Sequence, residues 1–213
     1  GFELSKVGVA PVQTRMVANL RNVDEDLAKR VAAGLAIDLP KASQAARKPI
    51  DMAPSPALSI QKKMLETLNG RQVGILIADG SDAAELTALI EAITVEGGKA
   101  VVVAPKIGAV KLADGSMVKA DGQLAGSPSQ IFDAVAVLLS EKGTQMLLKE
   151  SAAVEFVMNA FGHLKAIGHT PEAKPLLDKA GVVPDAGIVS IEDLPKAGAK
   201  RYFVREPNVR MLA

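Results

Sequence analysis

The chain has 213 residues, of which 48% are hydrophobic and only 3% aromatic, with no Trp and a single Tyr. That length supports one good core plus an appendage; an aliphatic core suits α/β layers, and so few aromatic platforms argue against single-stranded nucleic-acid binding. The 25 basic residues against 24 acidic ones imply no broad polyanion-binding surface, and the absence of Cys excludes disulfides, thiolate catalysis and Cys-based metal sites.

No apolar run approaches the ~18 residues that would suggest a membrane span. The opening GFELSKVG has no signal-peptide h-region. A reducing cytoplasm is therefore the expected location, with no membrane and no nucleic acid among the partners.

Three stretches follow one another. The first, residues 1–38, reads as helical. Pro11 opens a segment with Val12, Met16 and Leu20 at fourfold spacing. Asn22 reads as an N-cap with Glu25 in capping-box position. Leu27, Val31 and Leu35 then form a narrow apolar stripe. Two short helices cannot bury such stripes alone, so this stretch needs a packing partner. The second stretch, residues 39–70, carries Pro40, Pro49, Pro54 and Pro56 among polar and small residues and reads as an extended linker, with a brief helix over 61–68.

The third stretch, residues 71–213, alternates strand and helix. RQVGILIA (71–78) reads as a buried strand. The turn Asp79-Gly80-Ser81 leads to Asp82 as N-cap, and Leu86, Leu89, Ile90 and Ile93 mark one helix face ended by Gly97-Gly98. AVVVA (100–104) and AVAVLL (134–139) are further continuous apolar strands, which predicts a sheet covered on both faces. A hairpin turning at Asp114-Gly115 lies between them. Ser151 reads as the cap of a helix with Val154, Val157, Met158 and Phe161 on one face. Short strands follow at 165–168 and 187–191, separated by a helix start at Thr170-Pro171-Glu172 that Pro175 complicates. Strand–helix alternation with short turns predicts an α/β fold: a doubly wound parallel sheet of flavodoxin-like order, preceded by two helices and an extended linker.

Candidate chemistry is sparse. The loop Asp79-Gly80-Ser81-Asp82 ends a strand and opens a helix, a place where backbone amides can cradle phosphate. GxGxxG and a P-loop Lys are absent, and two carboxylates in the loop would repel an anion, so a tight turn with a capping Asp is the better reading. His169 stands at a strand-to-helix turn where a nucleophile is often presented, but no Ser or Cys shares that turn and Thr170 reads as a helix cap. His163 falls near a helix C-terminus, where a partly charged imidazole is favourable. Glu85 reads either as a general base at the sheet edge or as the second half of a capping box with Asp82; without a nucleophile the cap is favoured. Tyr202 could in principle ligate haem, but its setting among Arg201, Phe203 and Arg205 reads as tail packing.

The segment APVQTRMVANLRNVDEDLAKRVAAGLAIDLP resembles the last helices of the catalase core in large-subunit (clade 2 type) catalases. SPALSIQKKMLETLNGRQVGILIADGSDAAELTALIEAITVEGGKAVVVAPKIGAV resembles their linker and the start of their C-terminal domain. KLADGSMVKADGQLAGSPSQIFDAVAV and the ending REPNVRMLA fit the same family in the same order. The extra domain of that family in turn resembles the class I glutamine amidotransferase-like superfamily. There the acidic position corresponds to Glu85, and the nucleophilic Cys position is occupied here by His169. The resemblance implies a C-terminal fragment of a haem catalase, an oxidoreductase that dismutates hydrogen peroxide to water and oxygen. It implies that the haem, with its distal His and Asn and proximal Tyr, belongs to the parent's core and not to this segment. No catalytic, cofactor-binding or metal-ligating residue is therefore expected here, and Glu85 and His169 are expected to be non-catalytic. The implied partners are the catalase core of the same chain and neighbouring subunits of a homotetramer, with molecular chaperone (holdase) action on unfolded client proteins as a further role. The alternative is a vestigial amidotransferase-like domain with hydrolase or ligand-binding activity.

Overall fold

The computed structural model describes residues 1–206 and 209. The remaining positions of the run REPNVRMLA lie outside the described residues. The chain divides into two units, Gly1–Lys62 and Lys63–Ala213.

In the first unit three helices, α1 (Phe2–Ser5), α2 (Ala10–Leu20) and α3 (Glu25–Gly34), surround a small core of Val17, Val31 and Ala32. Leu4, Leu20, Leu35, Ile37 and Leu39 close over it. The inward face matches the expected stripes only at Leu20, Val31 and Leu35. Val17 and Ala18 turn inward on α2, leaving Val12 42% and Met16 46% exposed, and Leu27 is 40% exposed while Ala28 is buried. Small Ala residues let the two helices approach, and that rotates the larger side chains outward.

The cap of α3 is Asp24, whose carboxylate accepts from the Leu27 amide at 2.7 Å, and not Asn22. Asn22 instead donates to the carbonyl of Ser43 at 2.9 Å. Glu25 is engaged by Arg21 in a two-pronged pair at 2.8 and 2.9 Å, and Arg21 also donates to Pro40 O. Residues 40–43 thus strap back over α2. Beyond them regular structure is limited to two short 3₁₀ turns, Pro56–Leu58 and Gln61–Lys63. The expected helix over 61–68 is reduced to that second turn, because Leu68 is withdrawn fully into the core of the second unit.

The second unit is built on a parallel sheet of β1 (Gln72–Ile77), β2 (Lys99–Ala104), β5 (Gly122–Gln123), β6 (Ala134–Leu138), β7 (Ile167–His169) and β8 (Ile188–Ser190). Its order is β5-β2-β1-β6-β7-β8. Without the two-residue β5 this is the flavodoxin-like order. Ile75 pairs with Val102 on one side and Ala136 on the other. The expected hairpin is β3 (Ala109–Lys111) and β4 (Met117–Lys119), antiparallel, with Val110 opposite Val118.

One face of the sheet, through Val73, Ile75, Ile77, Ala134 and Ala136, packs on Leu86, Leu89 and Ile93 of α4 (Ala83–Val95), with Leu194 of α8 (Leu194–Ala197) in the same cluster. The other face, through Leu76, Val135, Val137 and Ile167, packs on α5 (Glu141–Leu147), α6 (Ser151–Gly162) and α7 (Lys174–Lys179). Burial on both sides is why β1 and β6 are continuous apolar runs. Gly74 is required for this packing, since a Cβ there would overlap the Phe132 ring. The cap of α6 is Glu150, one residue before Ser151, and makes no side-chain cap bond. Pro171 opens a 3₁₀ turn (Pro171–Ala173) that runs into α7, so Pro175 falls in the first turn of the α-helix, where it costs no hydrogen bond.

The segment after α8 is fastened by Arg205, which is 4% exposed. Its guanidinium grips Asp185 at 2.6 and 2.8 Å, donates to Lys165 O at 2.7 Å and lies 4.3 Å from the Phe161 ring centroid. Burial opposes ionisation of Asp185, but the bonds from Arg205 and the Gly187 amide outweigh it and hold that carboxyl below its ordinary range. A depressed carboxyl contributes stability above the unfolded value, and that contribution is lost as pH falls through the folded one. Asp185→Asn should cost about 3–5 kcal/mol at neutral pH by leaving a buried guanidinium unpaired. Urea titrations in acid should then show the native chain losing stability below the ordinary aspartate value of 3.8, with the gap to the variant narrowing.

Candidate functional site

Strand order reverses about β1, so the loops after β1 and β6 diverge and leave a crevice at the carboxyl edge of the sheet. Two buried hydroxyls fix that edge. Ser81 donates to Leu138 O at 2.7 Å and accepts from the Ala78 amide, tying the end of β1 to β6. Thr170 donates to Leu139 O at 2.8 Å and accepts the Leu139 amide, tying β6 to the end of β7. Thr170 is therefore a staple between strands, and its side chain makes no helix-cap bond.

The turn Asp79-Gly80-Ser81-Asp82 takes the form expected of it. Gly80 adopts φ +85°, a backbone that suits Gly alone, and a Cβ there would press on Ser140. Asp82 caps α4 by accepting from the Glu85 amide at 2.8 Å. The reciprocal half of the box is not made: among the described residues no bond runs from the Glu85 carboxylate to the Asp82 amide. Burial, then the nearby carboxylates of Asp82, Glu192 and Glu172, raise the Glu85 carboxyl above its ordinary range. Glu85 and Glu192 border an apolar groove of about 420 Å³ floored by Ala88, Leu89, Ile191 and Pro195. No hydroxyl or thiol lines it.

His169 is the last residue of β7, opposite Val137 and Ser190, rather than a residue of the following turn. Its Nδ1 donates to the adjacent Thr170 carbonyl at 2.8 Å. Among the described residues no hydrogen bond or ion pair joins it to Glu85. His163 is the C-cap of α6, as its position predicts, and its Nδ1 donates to Asn159 O at 2.8 Å. The Tyr202 hydroxyl donates to Ala197 O at 3.1 Å and its ring lies beside Arg205. Among the described residues no group of His, Asp and Glu could hold a metal ion, and no helix is long and apolar enough to cross a membrane.

Two charged groups that the sequence does not advertise are central to the domain. One is the pair of Arg205 and Asp185, separated by 20 residues. The other is Lys165, only 4% exposed, whose Nζ donates to the carbonyls of Ser129, Gln130 and Phe132. Burial, then the nearby Arg201, lowers its pKa to about 8. A lysine inside an apolar strand run is the one signal that could have drawn attention to it. It stands at the amino edge of the sheet and anchors the 3₁₀ turn Ser129–Ile131.

The second unit is thus a doubly wound parallel α/β domain. A family model described as the C-terminal domain found in long catalases matches residues 69–203, and one described as catalase-related immune-responsive matches residues 1–35. The chain belongs to the long-catalase family, as its C-terminal region. Catalase C of Rhizobium meliloti (strain 1021) is 39% identical over 221 residues, covering 99% of this chain and 31% of that protein. Catalase HPII of Mycobacterium avium is 35% identical over 184 residues, covering 85% of the chain and 25% of the relative. Catalase-1 of Neurospora crassa is 33% identical, covering 89% and 26%. The chain spans less than a third of the length of each.

If Glu85 is held among like charges without a compensating cation, Glu85→Gln should raise the melting temperature at pH 7. The gain should vanish in acid, since a raised carboxyl ceases to destabilise once pH falls through its folded value. Calorimetry at the two pH values checks this.

Proposed function

We propose that this chain is the non-catalytic C-terminal module of a cytoplasmic haem catalase, and that it stabilises the tetrameric enzyme and acts as a holdase toward unfolded clients. Residues 1–38 would be the end of the catalase-core helical region, residues 39–70 the linker and residues 71–213 the added domain. The parent's dismutation of hydrogen peroxide to water and oxygen would take place on haem bound by residues outside this segment. The printed names of the relatives support the enzyme class. The Tyr202 hydroxyl, which donates to the Ala197 carbonyl, supports placing the haem elsewhere. Glu85 and His169 are taken as structural, because among the described residues no hydrogen bond or ion pair joins them.

The observation that carries the binding role is the outward apolar face of the first unit. Val9, Val12, Met16, Val23 and Leu27 are each 40% or more exposed. Clustered exposed aliphatics of this kind mark a surface meant to be covered. In the parent it would be covered by the remainder of the core; detached, it would meet apolar segments of other proteins.

A thermal-aggregation assay with a heat-labile client tests this. The native chain should suppress aggregation without haem absorbance or oxygen release. Val12→Ser, Met16→Ser and Leu27→Ser together should remove most of the suppression without unfolding the second unit. Suppression unchanged in the triple variant would rule out this face as the client surface.

A further inference from the structure

The hairpin β3–β4 folds back on the turn after β1. The Gly80 amide donates to Lys111 O at 2.8 Å, the Lys111 amide to Asp79 Oδ1 at 3.0 Å, and the Ala113 amide to Ser81 O at 3.0 Å. This brings Lys111, which lies 32 residues beyond Asp79, to the crevice where the strand order reverses. Lys142, in the first turn of α5, arrives there from the other side. A cavity of about 340 Å³ results, lined by Asp79, Gly80, Lys111, Leu112, Ser140 and Lys142. Among the described residues neither Lys111 nor Lys142 makes an ion pair.

The two carboxylates that argued against an anion at this turn are already engaged. Asp79 accepts the Lys111 amide, and Asp82 accepts the Glu85 amide. Asp114, in the hairpin turn, is bonded by Ser116. The cavity wall therefore carries two lysines without ion-pair partners against one carboxylate, Asp79, which keeps its charge but spends one oxygen on a backbone amide. A second cavity of about 170 Å³ shares Asp79 with the first in its lining, together with Lys106, Ile107, Val110 and Met146. Open parallel sheets bind ligands at this reversal point, outside the carboxyl ends of the strands. Both walls are preformed by the Ser81 staple and the hairpin bonds, which lowers the ordering cost of binding.

We propose that this crevice binds a small phosphate monoester, with its phosphoryl group between Lys111 and Lys142 and its apolar body along Ile107, Val110 and Met146. No chemistry on the ester is implied. The site lies on the second unit alone and is independent of the apolar face assigned to client binding.

Isothermal titration of the full chain with phenyl phosphate and with inorganic phosphate tests it. Phenyl phosphate should bind saturably and more tightly than inorganic phosphate. The double variant Lys111→Gln, Lys142→Gln should weaken phenyl phosphate by about tenfold or more, the scale of losing charge-assisted bonds. Asp79→Asn, which keeps the acceptor for the Lys111 amide, should tighten binding, and Met146→Ser should erase the preference for the ester while sparing inorganic phosphate. Lys149→Gln, an exposed lysine outside the crevice, is the control and should change nothing. The proposal is overturned if phenyl phosphate shows no saturable binding at millimolar concentration, if the double variant behaves like Lys149→Gln, or if inorganic phosphate binds as tightly as the ester.

Discussion

The pairing of β1 between β2 and β6 is the constraint on which the second unit depends. Once Ile75 lies between Val102 and Ala136, β1 has no free edge, and both its faces must be covered by helices. Every other placement follows from that. α4 covers one face and α5–α7 the other, and Gly74 gives up its side chain so that Phe132 can lie against the backbone. The reversal of strand order at β1 also opens the crevice at the carboxyl edge. The same pairing that builds the core therefore creates the concave surface.

Much of this was legible in the sequence because continuous aliphatic runs bounded by Gly and Asp have few alternatives. RQVGILIA, AVVVA and AVAVLL became β1, β2 and β6, and the Asp82 cap and the Asp114-Gly115 turn fell where the residue types placed them. The first unit was less legible. Its spacing gave two helices but not the rotation of α2, because Val17 and Ala18 win the interface by fitting closely rather than by being the most hydrophobic. Asp24 takes the cap through its carboxylate, while the Asn22 amide donates to a tertiary acceptor, the Ser43 carbonyl. Local capping rules do not register such a long-range bond.

Long-range partners also explain what was missed at the sheet edges. Thr170 looks like a cap in sequence but spends its hydroxyl on β6, 31 residues away. Lys111 and Lys142 look like ordinary surface lysines until the hairpin closes on Gly80. Arg205 and Asp185 look like separate tail and loop charges until Gly187, which has no Cβ to obstruct them, allows Tyr202 and Arg205 to settle over it. For Thr170, and for Arg205 with Asp185, one polar group satisfies another that no periodicity could pair with it, and a buried charge is tolerable only because such partners are complete. The acidic neighbourhood of Glu85 is the exception, with like charges converging on a groove that has no cation of its own.

The two outer strands of the sheet have a consequence for how the domain behaves next to copies of itself. β5 has only two residues and β8 three. An unpaired edge recruits foreign strands in proportion to the length of ladder it offers. Here an aliphatic sheet ends on both sides in stubs too brief to template another chain. Many such domains can therefore be held side by side without their sheets fusing edge to edge.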